Sequence, residues 1–250
     1  MDSKIKKTKK PTLSPLFIAA AASVALLIIG VLVFYKPQQP QNNQLAQQYT
    51  ATDTIESITL SDGSEITMNS GTKLRANSRE VWLDEGEAFF NVKPEQKAFV
   101  VHLRNELTVS VLGTSFTIQS YEELPYQAVS VLSGKVKVSA SDNKSVELTV
   151  NQQAVYREAG KELSKLPTNS VQKAEWRAGK IVLENASVNE LRLRIRQLYG
   201  KNIVFQNQPE TMSINITLDK TTSINEIADE IAALYNFSYQ ITNDKIVFQS

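Results

Sequence analysis

The chain has 250 residues, which is enough for one large domain or two small ones. It contains no cysteine, and this excludes disulfides, thiolate nucleophiles and zinc sites built on cysteine. The net charge is only +1, but lysines are concentrated near the start, so the remainder of the chain is mildly acidic. An acidic surface is poorly suited to binding the phosphates of a nucleic acid.

An uncharged apolar segment follows the lysine-rich start of the chain. It contains LFIAAAASVALLIIGVLVFY, close to the roughly 20 residues that a helix needs to cross a bilayer. A cleaved signal peptide and a buried helix are the alternatives. However, the small residues lie inside the apolar run and not after it, where a cleavage site would be. The sequence therefore predicts a transmembrane helix over residues 13–35.

Lysines on the two sides of this helix predict its orientation. Five precede the helix and one follows it: Lys4, Lys6, Lys7, Lys9, Lys10 and Lys36. Positive flanks stay in the cytoplasm, so residues 1–12 are expected inside and everything after the helix outside. Residues 36–54 are rich in glutamine and proline, which is typical of an extended tether.

Residues 55–160 alternate between apolar and polar side chains and show no useful helical period. Asp62-Gly63 and Ser133-Gly134 separate alternating runs, and Asp-Gly is the usual pair of a two-residue hairpin turn. We expect an all-β domain of about ten short strands, either a sandwich or a solenoid-like stack. A linker over residues 161–175 is expected to follow it.

Few residues of the chain could carry chemistry. His102 is the only histidine, and strand alternation places it opposite its apolar neighbours, towards solvent or a second layer. Asp84, Glu85 and Glu87 could form a carboxylate site, but Gly86 lies among them between two apolar runs, which favours a charged turn. No nucleophile elbow or phosphate-binding glycine pattern is present. The sequence therefore predicts no catalytic residue, metal site or cofactor, and hence no enzyme.

The last part of the chain, residues 176–250, repeats a helical segment. SVNELRLRIRQLY begins at Ser187 and SINEIADEIAALY begins at Ser223. Both start with Ser-x-x-Glu, which predicts a capping box, and Gly200 and Asn236 are expected to end the two helices. Strand patterns flank both copies. The sequence predicts a small α+β domain of split βαβ-βαβ type, with both units on one small sheet.

The outer faces of the two predicted helices differ in charge. The first carries Arg192, Arg194 and Arg196, and the second carries Asp229 and Glu230. Two solvated faces, or a weak attraction between neighbouring helices, would explain the pattern. Alternatively, a partner docks on one face or adds a strand to an exposed sheet edge. The candidate docking residues are Arg192, Arg196, Asp229 and Glu230.

Several stretches carry a resemblance to a known family. LSDGSEITMNSGTKLRA, VWLDEGEAFFNV, AFVVHLRNELTVSVLGTSFTIQSY and AVSVLSGKVKVSA resemble FecR-type anti-sigma regulators in their order and spacing. EWRAGKIVLENASVNELRLRIRQLYGKNIVF and the following repeat resemble the C-terminal domain of such regulators in Bacteroidetes. That domain is similar to the short N-terminal domain of secretins and TonB-dependent receptors.

The resemblance implies a single-pass signal transducer of the inner membrane with periplasmic C-terminal domains. Its expected partners are the signalling domain of an outer-membrane TonB-dependent receptor for an iron complex or glycan, and an extracytoplasmic-function sigma factor. The family holds its sigma factor with a small folded cytoplasmic domain, whereas residues 1–12 are too few to fold independently. An envelope adaptor without transcriptional output is the alternative.

Overall fold

The computed structural model describes residues 46–206 and 212–249, which belong to one compact unit. The predicted cytoplasmic flank (1–12), the predicted transmembrane helix (13–35) and the six membrane-flanking lysines lie outside the described residues. In the described ranges, every helix is too short or too polar to cross a bilayer.

The first domain consists of thirteen strands within the described residues. They are β1 (Gln47–Ala51), β2 (Glu56–Thr59), β3 (Glu65–Met68), β4 (Thr72–Asn77), β5 (Glu80–Asn91), β6 (Phe99–His102), β7 (Thr108–Val111), β8 (Ser115–Ser120), β9 (Tyr126–Ser133), β10 (Val136–Ser139), β11 (Ser145–Leu148), β12 (Gln152–Arg157) and β13 (Glu162–Pro167). A short 3-10 helix, Arg104–Glu106, connects β6 to β7.

One long strand, β5, belongs to both sheets of this domain. Its first half pairs with β4 and β6, and its second half pairs with β3 and β8. The sheets therefore run β1-β4-β5-β6-β7-β10-β11 and β2-β3-β5-β8-β9-β12-β13. They enclose one apolar core, in which Phe90 stacks on Phe116 and contacts Phe99 edge to face. The all-β prediction is confirmed, and the arrangement is that of a sandwich.

Gly86 lies where β5 passes from one sheet to the other. Its φ of +111° belongs to a region that residues with a side chain rarely adopt. The β4–β5 register shifts just before it, as in a β-bulge. The predicted charged turn at Asp84, Glu85 and Glu87 is therefore wrong. These residues lie in one continuous strand that a bulge bends, because the strand must serve two sheets.

The outer strands β11 and β13 approach each other without pairing. Lysine side chains bridge them instead. Lys165 Nζ donates to the carbonyl oxygen of Glu147 at 2.7 Å, and Lys144 Nζ donates to that of Lys161 at 3.2 Å. We call this contact the lysine seam. It satisfies one carbonyl group on β11 and one immediately before β13.

Two segments expected to be connections carry strands. β1 lies in the predicted tether, residues 36–54, where Ala51 is fully buried and opposite Thr72 of β4. β13 lies in the predicted linker, residues 161–175, and pairs with β12 along its whole length. Both strands are short and lie in polar stretches of the sequence. They form because partner strands pair with them, and not because their own residues are strongly hydrophobic.

The hairpin between β2 and β3 forms at Asp62-Gly63 as predicted, but its loop has three residues and not two. The N–H of Leu60 bonds to the carbonyl of Ser64 at 2.8 Å across the loop. The carboxylate of Asp62 accepts from Ser64 and also forms a buried ion pair with Arg79 at 2.6 Å. The aspartate therefore connects the turn to the interior of the domain.

The second domain has five strands and two α-helices within the described residues. They are β14 (Lys180–Ala186), α1 (Val188–Tyr199), β15 (Asn202–Gln206), β16 (Ile214–Asp219), α2 (Ile224–Tyr235), β17 (Ser238–Ile241) and β18 (Lys245–Gln249). A 3-10 helix, Gln172–Ala178, precedes β14 and contributes Trp176 to the core of this domain.

The strand–helix–strand order of both repeats agrees with the prediction, but the strands form two sheets and not one. β14 pairs antiparallel with β16, the equivalent strand of the other repeat. β15 pairs parallel with β18, which also pairs with β17. The last strand thus separates the second strands of the two repeats. Gly200 and Asn236 end the helices with positive φ, as predicted.

We expect Gly86→Ala to lower the free energy of unfolding by about 3 kcal/mol, because it combines an unfavourable φ with overpacking. A Cβ at this position would lie 2.5 Å from the Cα of Thr72. Gly71→Ala is the matched control. Its φ is +80° with open space around it, so the expected loss is about 1 kcal/mol. Urea unfolding measures both losses, and equal losses would contradict the tight approach at Gly86.

Candidate functional site

One face of α1 docks on the first domain. The central contacts come from four residues of the helix at spacings that place them on one side: Glu190, Leu193, Arg194 and Gln197. Leu193 is 3% exposed and packs with Tyr121 and Leu124 of the first domain. We call this contact the α1 interface.

An ion pair between Arg194 and Glu87 of β5 lies at the centre of the α1 interface. Arg194 Nη1 donates to Glu87 Oε2 at 2.6 Å, and Nη2 donates to Oε1 at 3.1 Å. The two side chains are 6% and 5% exposed. The side-chain amide of Asn69 donates to the same carboxylate at 2.8 Å. Burial alone would lower the pKa of Arg194, but the charge of Glu87 outweighs burial and raises it, so the guanidinium stays charged.

A buried ion pair is a modest source of stability, because both charges lose their hydration when it forms. Separating the partners is nevertheless expensive, since each charge would remain in an environment that excludes water. α1 can therefore leave the first domain only if Arg194 and Glu87 are rehydrated together. The pair fixes the position of α1 relative to β5.

Two tyrosines complete the α1 interface, of which Tyr121 is buried and Tyr126 is partly buried. The hydroxyl of Tyr126 donates to Glu190 at 2.9 Å, and the amide of Gln197 donates to the hydroxyl of Tyr121 at 2.5 Å. The guanidinium of Arg194 lies 5.7 Å from the centre of the Tyr121 ring. Burial raises the pKa of both tyrosines, and the neighbouring carboxylates of the interface raise it further. Both hydroxyls therefore stay protonated and able to donate.

The repeated Ser-x-x-Glu motif has different roles in the two helices. In α2 the capping box is complete, because Ser223 and Glu226 each accept from the backbone N–H of the other. In α1 the hydroxyl of Ser187 accepts from the N–H of Glu190 at 3.1 Å, but the carboxylate of Glu190 bonds to the first domain instead. The capping-box prediction is confirmed for α2 and only half confirmed for α1.

The four predicted docking residues do not form one cluster. Arg196 forms an ion pair with a glutamate of the first domain at the exposed rim of the α1 interface. Arg192 contacts side chains of its own domain. Asp229 and Glu230 are exposed on α2. Arg194 is predicted on the same outer face, but it is buried because the first domain covers that face. A docking role for the four residues stays a prediction.

The candidate residues for a catalytic or metal site form structural contacts instead. His102 stacks on Trp82, with ring centroids 5.2 Å apart, and bonds to Glu80 at 2.9 Å on the outside of the sandwich. Asp84 forms an exposed ion pair with Arg75. In the described part of the chain, no group of three acidic or histidine side chains is placed to hold a metal ion.

A cleft of about 600 Å³ lies beside the α1 interface, between the two domains. One wall is the outer face of β8, β9 and β12. The other wall is formed by β14 together with the 3-10 helix that precedes it, and the cleft also borders Glu190 and Arg194 of α1. The α1 interface therefore helps to hold the two walls of the cleft at their present separation.

Two family models match the chain, one in each domain. The model of the FecR protein matches residues 47–137, and the model of the FecR C-terminal domain matches residues 180–248. Together they cover more than half of the chain. The chain belongs to the FecR family. No curated protein sequence matches it.

Two crystal structures of candidate anti-sigma factors from Parabacteroides distasonis are similar to this FecR protein. The first is 26% identical with a TM-score of 0.74, and the match covers 81% of this chain and 98% of that chain. The second is 25% identical with a TM-score of 0.75, and the match covers 82% and 99% of the two chains. Each match covers a larger share of this chain than either domain occupies, so the similarity includes both domains.

The α1 interface thus joins the two characteristic parts of a FecR protein. Glu87 and Asn69 lie in the region matched by the FecR model, and Arg194 lies in the region matched by the C-terminal model. Below, the first domain is called the FecR domain and the second the C-terminal domain.

We expect Arg194→Met to lower the free energy of unfolding by about 3–5 kcal/mol, because it leaves the carboxylate of Glu87 buried without its cation. The double variant Glu87→Leu/Arg194→Met should lose much less than the sum of the two single losses. Arg75→Met is the control. It breaks an exposed ion pair and should cost less than about 1 kcal/mol. Urea unfolding measures all four variants, and additive losses would contradict a direct coupling of the pair.

We expect the α1 interface to weaken in alkaline solution. Since the pKa of Tyr121 and Tyr126 is raised in the folded protein, the folded state holds these protons more tightly than the unfolded state. Their contribution to stability is complete below the ordinary tyrosine pKa of about 10 and is lost as the pH rises through the folded-state values. Tyrosinate absorbance, followed together with circular dichroism, measures this.

The double variant Tyr121→Phe/Tyr126→Phe is the control for the alkaline transition. It should lose the late tyrosinate phase that accompanies unfolding, while the exposed tyrosines titrate as before. Titration of every tyrosine near its ordinary pKa in the intact fold would contradict the buried arrangement.

Proposed function

We propose that this FecR protein is an inner-membrane anti-sigma regulator whose described domains receive a signal from an outer-membrane TonB-dependent receptor. The family and the similar Parabacteroides distasonis structures support the anti-sigma role. The asymmetric lysines around an apolar segment support a membrane anchor with both domains outside the cytoplasm. The proposed partners are the signalling domain of the receptor and an extracytoplasmic-function sigma factor.

The observation that carries this proposal is the α1 interface. It makes the FecR domain and the C-terminal domain move together, because Arg194 and Glu87 cannot separate cheaply. A receptor domain that binds the C-terminal domain would therefore also displace or hold β5. This is binding without catalysis, as expected of a regulator.

Strand pairing connects this interface to β1, the part of the FecR domain that follows the predicted membrane anchor in the sequence. Glu87 lies on β5, β5 pairs with β4, and β4 pairs with β1, the first strand of the FecR domain. β1 is also the described strand nearest to the predicted transmembrane helix in the sequence. We propose that a change at the α1 interface alters how firmly β1 is held and thereby reaches the membrane anchor.

Two measurements test the proposal. The full chain in detergent is titrated calorimetrically with the recombinant signalling domain of a TonB-dependent receptor encoded beside it, and we expect saturable binding. In cells, deletion of the protein should change transcription from promoters of the partner sigma factor. Arg194→Met should impair the response to the receptor ligand at unchanged protein level, whereas the control Arg75→Met should respond normally.

Each outcome has a clear meaning. Absence of binding to the receptor domain would overturn the receptor part of the proposal. Unchanged transcription after deletion would overturn the regulatory part and favour an envelope adaptor. A normal response of the Arg194→Met variant would overturn the proposed route through the α1 interface.

A further inference from the structure

The outer edge of β14 opens into the cleft between the domains. Among the described residues, β14 pairs only with β16, on one side. Successive side chains of a strand point to opposite faces, so a groove along one face is lined by alternate residues. The cleft is lined by every residue from 180 to 186. It therefore runs along the edge of the strand, where backbone N–H and C=O groups lie unused by β16.

The opposite wall is the face of a sheet and not its edge. Its lining residues alternate along each strand, and they are mostly small or uncharged: Thr117 and Gln119 on β8, Ala128 and Ser130 on β9, and Gln153 and Val155 on β12. The cleft is therefore a slot, with the edge of β14 on one side and the face of a sheet on the other. Its volume lies within the range of roughly 300–1,000 Å³ that binding pockets commonly have.

Two buried donors that line the slot have no acceptor. These are Nε of Arg194 and Nε1 of Trp176, in residues that are 5% and 3% exposed. Buried N–H groups are normally satisfied, so an unmet donor beside a cleft indicates a missing acceptor. Both residues belong to the lining of the slot. The two atoms themselves are enclosed by protein, so a ligand in the slot would reach them only if the side chains around them shifted.

The charges of the slot are balanced. Glu87 is paired with Arg194 of the α1 interface, and Lys180 is paired with Glu175. Two further cations and two further carboxylates line the slot and form no ion pair within the described residues: Arg157, Lys173, Glu184 and Glu190. Recognition in the slot is therefore expected to depend on backbone hydrogen bonds and shape more than on the net charge of the ligand.

We propose that an extended polypeptide segment of the partner enters the slot and pairs with the free edge of β14 as a new strand. The backbone edge of a strand is matched by another extended backbone, whose N–H and C=O groups repeat at the same spacing. The identity of the partner, a receptor signalling domain, rests on the function proposed above.

Other strands at the ends of sheets are less suited to this role. The edges of β11 and β13 are bridged by the lysine seam, and lysines at an edge discourage strand addition. β15 and β17 also end a sheet, but their residues do not line the slot. β14 combines an open edge with a second wall that faces it.

The test uses the full chain in detergent and the recombinant receptor signalling domain as the probe. Ala128→Trp fills the slot from the FecR-domain wall without touching the sequence of β14. Gln240→Trp adds the same bulk at an exposed position of β17 and is the matched control. We expect Ala128→Trp to weaken binding at least tenfold and Gln240→Trp to leave it unchanged. Thermal unfolding checks that both variants fold.

Hydrogen exchange on the unaltered chain gives a readout that does not depend on a variant. Bound probe should slow exchange of backbone amides within 180–186. Binding of Ala128→Trp at the affinity of the unaltered chain, or protection confined to β15 or β17, would overturn strand addition at β14 but leave the proposed function standing. If the probe does not bind the unaltered chain, both proposals fall.

Discussion

The buried ion pair between Glu87 and Arg194 is the contact on which the arrangement of this FecR protein depends. It connects residues that are 107 positions apart in the chain and belong to different domains. Several local features serve it. Gly86 bends β5 immediately before Glu87, Asn69 donates to the carboxylate, and Gln197 accepts from Arg194 one turn along α1. If either charge of the ion pair were removed, the groups that support the pair would no longer help to hold the two domains together.

The apolar contacts across the boundary of the two domains include the packing of Phe89 of β5 against the core of the C-terminal domain and a small cluster at α1. Leu193, Tyr121 and Leu124 supply one small apolar cluster, while the rest of the α1 interface consists of charged and polar side chains. Polar contacts of this kind specify one orientation, because each donor must meet its acceptor. They also make the orientation sensitive to charge, which suits a protein that is proposed to respond to binding.

Local features of the fold could be predicted from the sequence, whereas its long-range partners could not. Two-residue alternation and turn residues identified the all-β domain, and serine, glycine and asparagine marked the ends of α1 and α2. β1 escaped prediction because its few apolar residues are buried only by β4. The two sheets of the C-terminal domain depend on which strands pair, and that choice is not local. Arg194, between apolar Leu193 and Ile195, carried a weak signal of burial.

The lysine seam has a consequence for how copies of this protein behave beside one another. An uncovered edge strand can recruit the same edge of a second copy and begin an open-ended stack. Here the side chains of Lys144 and Lys165 occupy one carbonyl group on β11 and one immediately before β13, and these groups are no longer free to accept a strand of a second copy. Hydrogen bonds made within one copy therefore oppose edge-to-edge stacking at this end of the sandwich.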